Sequence, residues 1–169
     1  MPVLPDVLQS DLKLVFCGTA ASTVSAHMGA YYANPTNAFW RTLHEIGLIP
    51  IRIHPQNFRD LLTYRIGLTD MAKHATGNDA DLGPEDFDAL ALREKLVRYR
   101  PSLLAFTSKR AASAFFDVPT RKLNYGQQPC TDLQTRFWVL PSPSGAARSY
   151  WDVRIWQALA DAVGTLSDT

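Results

Sequence analysis

The chain has 169 residues, 46% of them apolar and 20% charged, with a formal net charge of +1. That is one domain's worth of ordinary globular composition, long enough to bury a core. No apolar run approaches the roughly 18 residues of a membrane span, and the N-terminus lacks the basic-then-apolar pattern of a secretory leader. Cys17 and Cys130 stand far apart and in no CxxC pattern, which supports neither a disulfide framework nor a thiolate zinc or iron–sulfur site. The expectation is a single cytoplasmic domain over residues 1–169, monomeric and without a membrane partner.

The charge is unevenly spread. Eight basic residues lie between Arg93 and Lys122 against Glu94 and Asp117, while Asp79 to Asp88 holds five acids and no base. This permits a basic face for nucleic acid, and equally a set of solvated helix surfaces.

Leu12 to Cys17, LKLVFC, is a short apolar run closed by Gly18 and reads as a buried strand. The small-residue segment after it, GTAASTVSAHMGAYYANP, has no helical period and reads as a long loop. A helix is expected from Asn34, with Asn34 as cap, Pro35 in the first turn, Phe39, Leu43 and Ile46 on one face and Gly47 as the stop. Ile51 to Ile53 reads as a short extended piece. A second helix opens at Pro55, turns Phe58, Leu61 and Leu62 inward and ends at Gly67, which leaves GLTD as a loop. Residues 74–86 form a polar loop. A helix over about 85–99 carries Ala89, Leu92, Leu96 and Tyr99 at helical spacing and is closed by Pro101. Ser102 to Thr107 is the next strand, Ser108 to Phe116 a short helix and 117–131 irregular. Arg136 to Leu140 is a further strand, PSPSGAAR a proline-rich turn, and about 149–163 a last helix with Trp151, Ile155 and Leu159 on one side. Phe39 and Trp40 read as core residues rather than exposed stackers.

Strands alternating with helices predict a three-layer α/β/α domain around a largely parallel sheet of four to five strands. Ligands in such folds sit beyond the C-terminal ends of the strands. Three segments there are chemically unusual: GTAAS, GLTD and PSPSGAAR.

Together with two further segments they carry a resemblance. VFCG is followed by Thr19, Ala20, Ala21 and Ser22, then YYANPTNAFW (Tyr31 to Trp40), LLTYRIGLT (Leu61 to Thr69), YRPSLLA (Tyr99 to Ala105) and WVLPSPSG (Trp138 to Gly145). In this order and separation they resemble the mismatch-specific uracil/thymine-DNA glycosylases of the uracil-DNA glycosylase superfamily. The likeness runs from about Leu12 to the last helix. It implies an enzyme that flips uracil, alone or mispaired with G, out of double- or single-stranded DNA and hydrolyses its N-glycosidic bond. It implies no metal or other cofactor.

Residue by residue, the resemblance makes Gly18, Thr19, Ala20 and Ser22 the floor of a pocket for the flipped base. Tyr32 falls where an aromatic ring stacks on that base, and Asn34 lies in the same lining. Ser142, Ser144, Gly145 and Ala146 fall in the loop that approaches DNA, and Arg148 where a basic residue stands near the lesion. Lys109, with Arg110 at the start of a helix, is placed to meet phosphate or to be solvated. The chemistry explains the residue types. A base must leave the duplex to be reached, an aromatic ring restores part of its stacking, and aligned donors stabilise the departing anion.

Two departures from the family pattern matter. Where the first motif has a water-positioning asparagine, this chain has Ala20, which has no side-chain hydrogen bond to offer. Asp70, directly after GLT, is the candidate replacement, a carboxylate able to hold or deprotonate water; the competing reading is an exposed aspartate capping the MAK segment. Asn34 and His27 are weaker rivals. In the last motif Ser142 replaces asparagine, and Ala146 stands where the family carries a bulky apolar wedge. Ala20 keeps a second function open, a module that binds uracil-containing or damaged DNA without cleaving it. A serine hydrolase is disfavoured because Ser144 lacks the G-x-S-x-G elbow. No glycine-rich nucleotide motif is present, and His27, His44, His54 and His74 have no ligand spacing.

Overall fold

A computed structural model of the chain describes residues 1–166, Asp79 by its backbone alone; residues 167–169, the end of the expected domain span, lie outside the described residues. Five strands form one sheet: β1 (Leu14–Gly18), β2 (Ile66–Asp70), β3 (Leu103–Phe106), β4 (Gly126–Gln127) and β5 (Arg136–Val139). Their order is β2-β1-β3-β5-β4, parallel throughout except for the antiparallel edge strand β4. The helices are α1 (Thr23–Met28), α2 (Phe39–Glu45), α3 (Ala89–Tyr99), α4 (Lys109–Phe116) and α5 (Val153–Gly164). The architecture is the expected three-layer α/β/α arrangement.

β1, β2 and β3 are buried along their whole length, which is why β1 and β3 read as continuous apolar runs rather than alternating ones. Two cores result. On one face Phe16, Leu14 and Leu68 pack against Phe39 and Leu43 of α2 and Trp156 and Leu159 of α5. On the other Val15, Cys17, Leu104, Phe106 and Phe137 pack against Leu92, Leu96, Ala111 and Ala112 of α3 and α4. Phe39 and Trp40 are core residues, as read from the sequence. Trp156, absent from the expected face of the last helix, is fully buried, and its Nε1 donates to Pro141 O at 3.0 Å.

Several local expectations are corrected. The segment after Gly18 is not a plain loop: Ser22 caps α1, its Oγ accepting from Ser25 N at 3.1 Å, and this local bond overrides the weak helical period. His27 therefore stands in the last turn of a helix rather than in a loop. The next helix starts at Phe39, not at Asn34. Asn34 instead closes an Asx turn, its Oδ1 accepting from Thr36 N at 3.0 Å and Thr36 Oγ1 at 2.8 Å. Residues 55–64 are 3-10 helix, and Gly67 does not end a helix but lies inside β2. GLTD is thus the body of a buried strand, hidden from a periodicity reading because it contains Gly, Thr and Asp. Ile51 to Ile53 forms no strand. The helix expected over about 85–99 begins at Ala89, behind a short 3-10 turn at Pro84–Asp86, and β4 lies within the stretch read as irregular. PSPSGAAR runs into a 3-10 segment, Gly145–Tyr150, before α5.

Candidate active site

β1, β2 and β3 end side by side. Gly18 is in register with Asp70, and Cys17 with Phe106, so the residues that follow each strand open onto one space. That space is a cavity of about 420 Å³, in the range of sites that hold a small organic ligand. Its floor is Gly18 to Ser22; its walls include Tyr32, Asn34 and Asn37, Asp70, Thr107 and the Ser142–Ser144 loop.

Three polar atoms converge at the floor. A Cβ built on Gly18 would stand 2.8 Å from Asp70 Oδ1, 3.2 Å from the Tyr32 hydroxyl and 3.5 Å from Thr107 Oγ1. Only glycine leaves this point open. The Tyr32 hydroxyl and Thr107 Oγ1 are hydrogen-bonded at 3.3 Å.

Asp70 is not the exposed cap of the MAK segment; it is 7% exposed at the end of β2, an edge strand of the sheet that the Val7 bridge covers. Burial is the main cause that pushes its pKa up to about 6, with Asp6 adding to the rise while Lys73 and Lys95 oppose it. Lys73 Nζ comes no nearer than 4.0 Å to Asp70 Oδ2.

Tyr32 is fixed from beneath. Its ring stacks on Phe39 with centroids 3.9 Å apart and planes 16° from parallel, and Phe39 in turn meets Phe16 and Trp40 edge-on, each at 5.0 Å. The backbone there is held by Ser25, whose Oγ accepts from Ala33 N, and by Trp40, whose Nε1 donates to Tyr31 O. Tyr32 has φ of 51°, a left-handed conformation that costs a non-glycine residue on the order of 1 kcal/mol or more. The surrounding bonds impose it and turn the ring to the cavity.

The other walls are braced in the same way. Met71 N, Ala72 N and Gly77 N donate to Gly18 O, Thr19 O and Ala21 O, which ties the chain after β2 to the floor. The loop after β5 is joined to the start of α2 by Ala38 N to Pro143 O. A Cβ on Gly145 would lie 2.7 Å from Thr36 Oγ1, so this loop can approach the Asn34 turn only because residue 145 is glycine.

Gly18, Thr19, Ala20, Ser22, Tyr32, Asn34 and Asp70 therefore line one cavity, joined by Ser142, Ser144 and Ala146 at its rim. Gly145 and Arg148 lie in the adjoining 3-10 segment, where Arg148 is exposed. Lys109 stands beside the rim at the start of α4, directly after Thr107 and Ser108, with its ammonium 4.4 Å from the centre of the Tyr125 ring. The basic stretch does not form one free face. Lys95 pairs with Asp6, Arg93 with Asp132, and Arg110 donates to Leu82 O. Sequence reasoning missed Thr107, Asn37 and Leu4 as lining residues. Thr107 was legible in principle as the polar residue ending an apolar strand; Leu4 was not, because nothing local announces that the N-terminal segment reaches the cavity. Among the described residues, no group of three or more His, Cys, Asp or Glu could hold a metal ion, and no helix is long and apolar enough to cross a membrane.

The fold and the cavity define an α/β/α protein with an open cavity across the ends of three adjacent parallel strands. The family model "Uracil DNA glycosylase superfamily" matches residues 5–160, and the chain belongs to that superfamily. A solved structure with the same fold is the solution NMR structure of a "putative Uracil DNA glycosylase" from Methanosarcina acetivorans. It superposes with a TM-score of 0.63 at 23% identity, over 95% of this chain and 96% of that one.

Proposed function

We propose that the chain excises uracil from DNA as a monofunctional glycosylase, with Asp70 placing the attacking water. The observation that carries this reading is the convergence of a buried, weakly paired carboxylate with the Tyr32 hydroxyl and Thr107 Oγ1 over the open α-carbon of Gly18.

In this reading the flipped base lies on the face of Tyr32 opposite Phe39. Asn34 spends its Oδ1 on Thr36, so its Nδ2 hydrogens are left to donate to a carbonyl oxygen on the base edge. Such a donor accepts uracil and disfavours cytosine, whose amino group would meet it donor to donor. Water bound to ionised Asp70 attacks the sugar C1′ as the C1′–N1 bond breaks. The bond electrons leave with the base, the water oxygen stays on C1′, and the water proton passes to Asp70 and then to the departing base. A carboxyl titrating near pH 6 is ionised at neutral pH yet basic enough to take that proton. Arg148, Lys109 and the Ser142–Ala146 loop meet the DNA. Ala146 fills little of the space left by the flipped base, so extrusion draws less help from a wedge and depends less on a G·U mispair.

The test is single-turnover release of uracil from G·U, A·U and single-stranded oligonucleotides. Release that falls by orders of magnitude in Asp70→Asn, with DNA affinity unchanged, is the expected result. No release above the enzyme-free control overturns the enzyme reading in favour of the non-cleaving binder that Ala20 suggests. A near-normal rate in Asp70→Asn removes Asp70 from the mechanism.

A further inference from the structure

The segment before β1 passes behind the cavity and is tied down along β2. Val7 and Leu68 exchange backbone hydrogen bonds, each 2.9 Å, and Val3 N donates to Lys73 O at 2.7 Å. This delivers Asp6 to the rear of Asp70. Asp6 Oδ1 lies 3.0 Å from Lys73 Nζ and accepts from Thr69 Oγ1 at 2.7 Å, while Oδ2 lies 2.8 Å from Lys95 Nζ. Lys73 Nζ also donates to the Tyr31 hydroxyl at 3.1 Å, and that hydroxyl donates to Pro5 O at 2.9 Å. Lys73, three residues from Asp70 and only 11% exposed at its side chain, thus has its short contacts on Asp6 and Tyr31.

We propose that Asp6 is a positioning residue for the reaction: it holds Lys73 away from Asp70, so that the Asp70 carboxylate is left to bind water instead of closing an ion pair. The proposal rests on the excision reading above. Its physical ground is competition. A lysine ammonium in direct contact would occupy a carboxylate oxygen and make it a poor base, and Lys73 is within reach to do so. Asp6 wins because it gathers Lys73, Lys95 and Thr69 at once, and its own pKa is lowered although burial acts to raise it.

The other groups around Asp70 do not supply this restraint. Cys17, Tyr31 and Tyr32 feel its charge through their raised pKa values, burial being the larger cause in each. His74, Glu85, Asp86 and Asp88 line a second cavity of about 280 Å³ that Asp70, Lys73 and Lys95 share.

The experiment is a carbon-13 carboxyl titration of Asp70 by NMR, which needs no activity, beside the pH profile of single-turnover uracil release. In Asp6→Asn, Lys73 loses its competing anion and turns to Asp70. The Asp70 titration and the acid limb of the rate should both move to lower pH by roughly one unit, further than the same Asp6→Asn change moves them in a Lys73→Met background, where only the direct charge of Asp6 is lost, and the plateau rate should fall. Lys73→Met, which leaves Asp6 paired with Lys95, should move both to higher pH. Both variants must keep a native-like amide spectrum; should Asp6→Asn not fold, Lys73→Met applies the same test from the other side. Asp6→Asn shifting upward or not at all, shifting by the same amount with and without Lys73, or leaving the plateau rate unchanged overturns the proposal, as does Lys73→Met shifting downward or not at all. A wild-type chain that releases no uracil defeats the excision reading alone, because the titrations still decide what Asp6 does to Asp70.

Discussion

Replacing Asp70 by asparagine should abolish excision and, at neutral pH, make the protein more stable. The carboxyl titrates at its ordinary value of 3.8 in the unfolded chain and at about 6 in the fold. A native state that holds a proton the unfolded chain has already released is favoured at low pH and penalised as the pH rises. The penalty is absent below about pH 4, grows between about pH 4 and 6, and is complete above that. At about 1.4 kcal/mol per factor of ten, its full size is about 3 kcal/mol. Asparagine never ionises and fills nearly the same volume, so Asp70→Asn should recover much of this at pH 7.5, a rise in Tm of several degrees for a chain of this length. At pH 4 the two proteins should melt together. Thermal unfolding followed by circular dichroism between pH 4 and 8 checks this. A variant that is destabilised at pH 7.5, or a difference that does not change with pH, would refute the claim that Asp70 is ionised at a cost in its buried setting.

Wild-type single-turnover rates should rise about tenfold between pH 5 and pH 7, as ionised Asp70 goes from about a tenth to about nine tenths of the population around a pKa of about 6; a flat profile in quench-flow measurements excludes Asp70 as the base. Gly18→Ala puts a methyl 2.8 Å from Asp70 Oδ1, so excision should drop more than tenfold with a stability loss of about 1–3 kcal/mol in denaturant titration. Tyr32→Leu removes the stacking face, and uracil-DNA affinity by fluorescence anisotropy should weaken by about 1–2 kcal/mol while affinity for undamaged duplex is unchanged. Ala146→Leu restores an apolar wedge at the rim and should raise release from G·U and A·U duplexes several-fold without affecting single strands.

β1 and β3 were legible because the central strands are buried on both faces, and LVFCG and LLAF carry that burial as unbroken apolar runs. IGLTD has the same burial with less apolar chemistry. It is stabilised by pairing to β1, by Thr69 reaching Asp6 and by the bridge from Val7, none of which is local. The floor residues Gly18 to Ser22 were legible from a motif. Asp70 was named for its chemistry, but its place at the end of a strand came only with the structure. Asn34 could be read as a cap or as a pocket residue, since Asx residues serve both ends; Thr36, two residues on, captured its oxygen first. Asp6 and Lys73 could not be paired from sequence because they lie on opposite sides of β1 in the chain.

Ala20 and Asp70 are best understood together. Ala20 brings no side-chain hydrogen bond to one side of the floor, yet Gly18 is in register with Asp70 across the β1–β2 pairing. A single strand spacing, about 4.8 Å, separates Gly18, two residues before Ala20, from Asp70 at the end of β2. Both positions line the same cavity. In the proposed excision the task of holding water passes from one strand to its neighbour, provided the new group is buried and not paired off. The first condition is met by the strand itself. Under the proposal made for Asp6 the second is met by its hold on Lys73, and it can fail without any change in the fold, which would make the rear of the pocket as decisive for the chemistry as its floor.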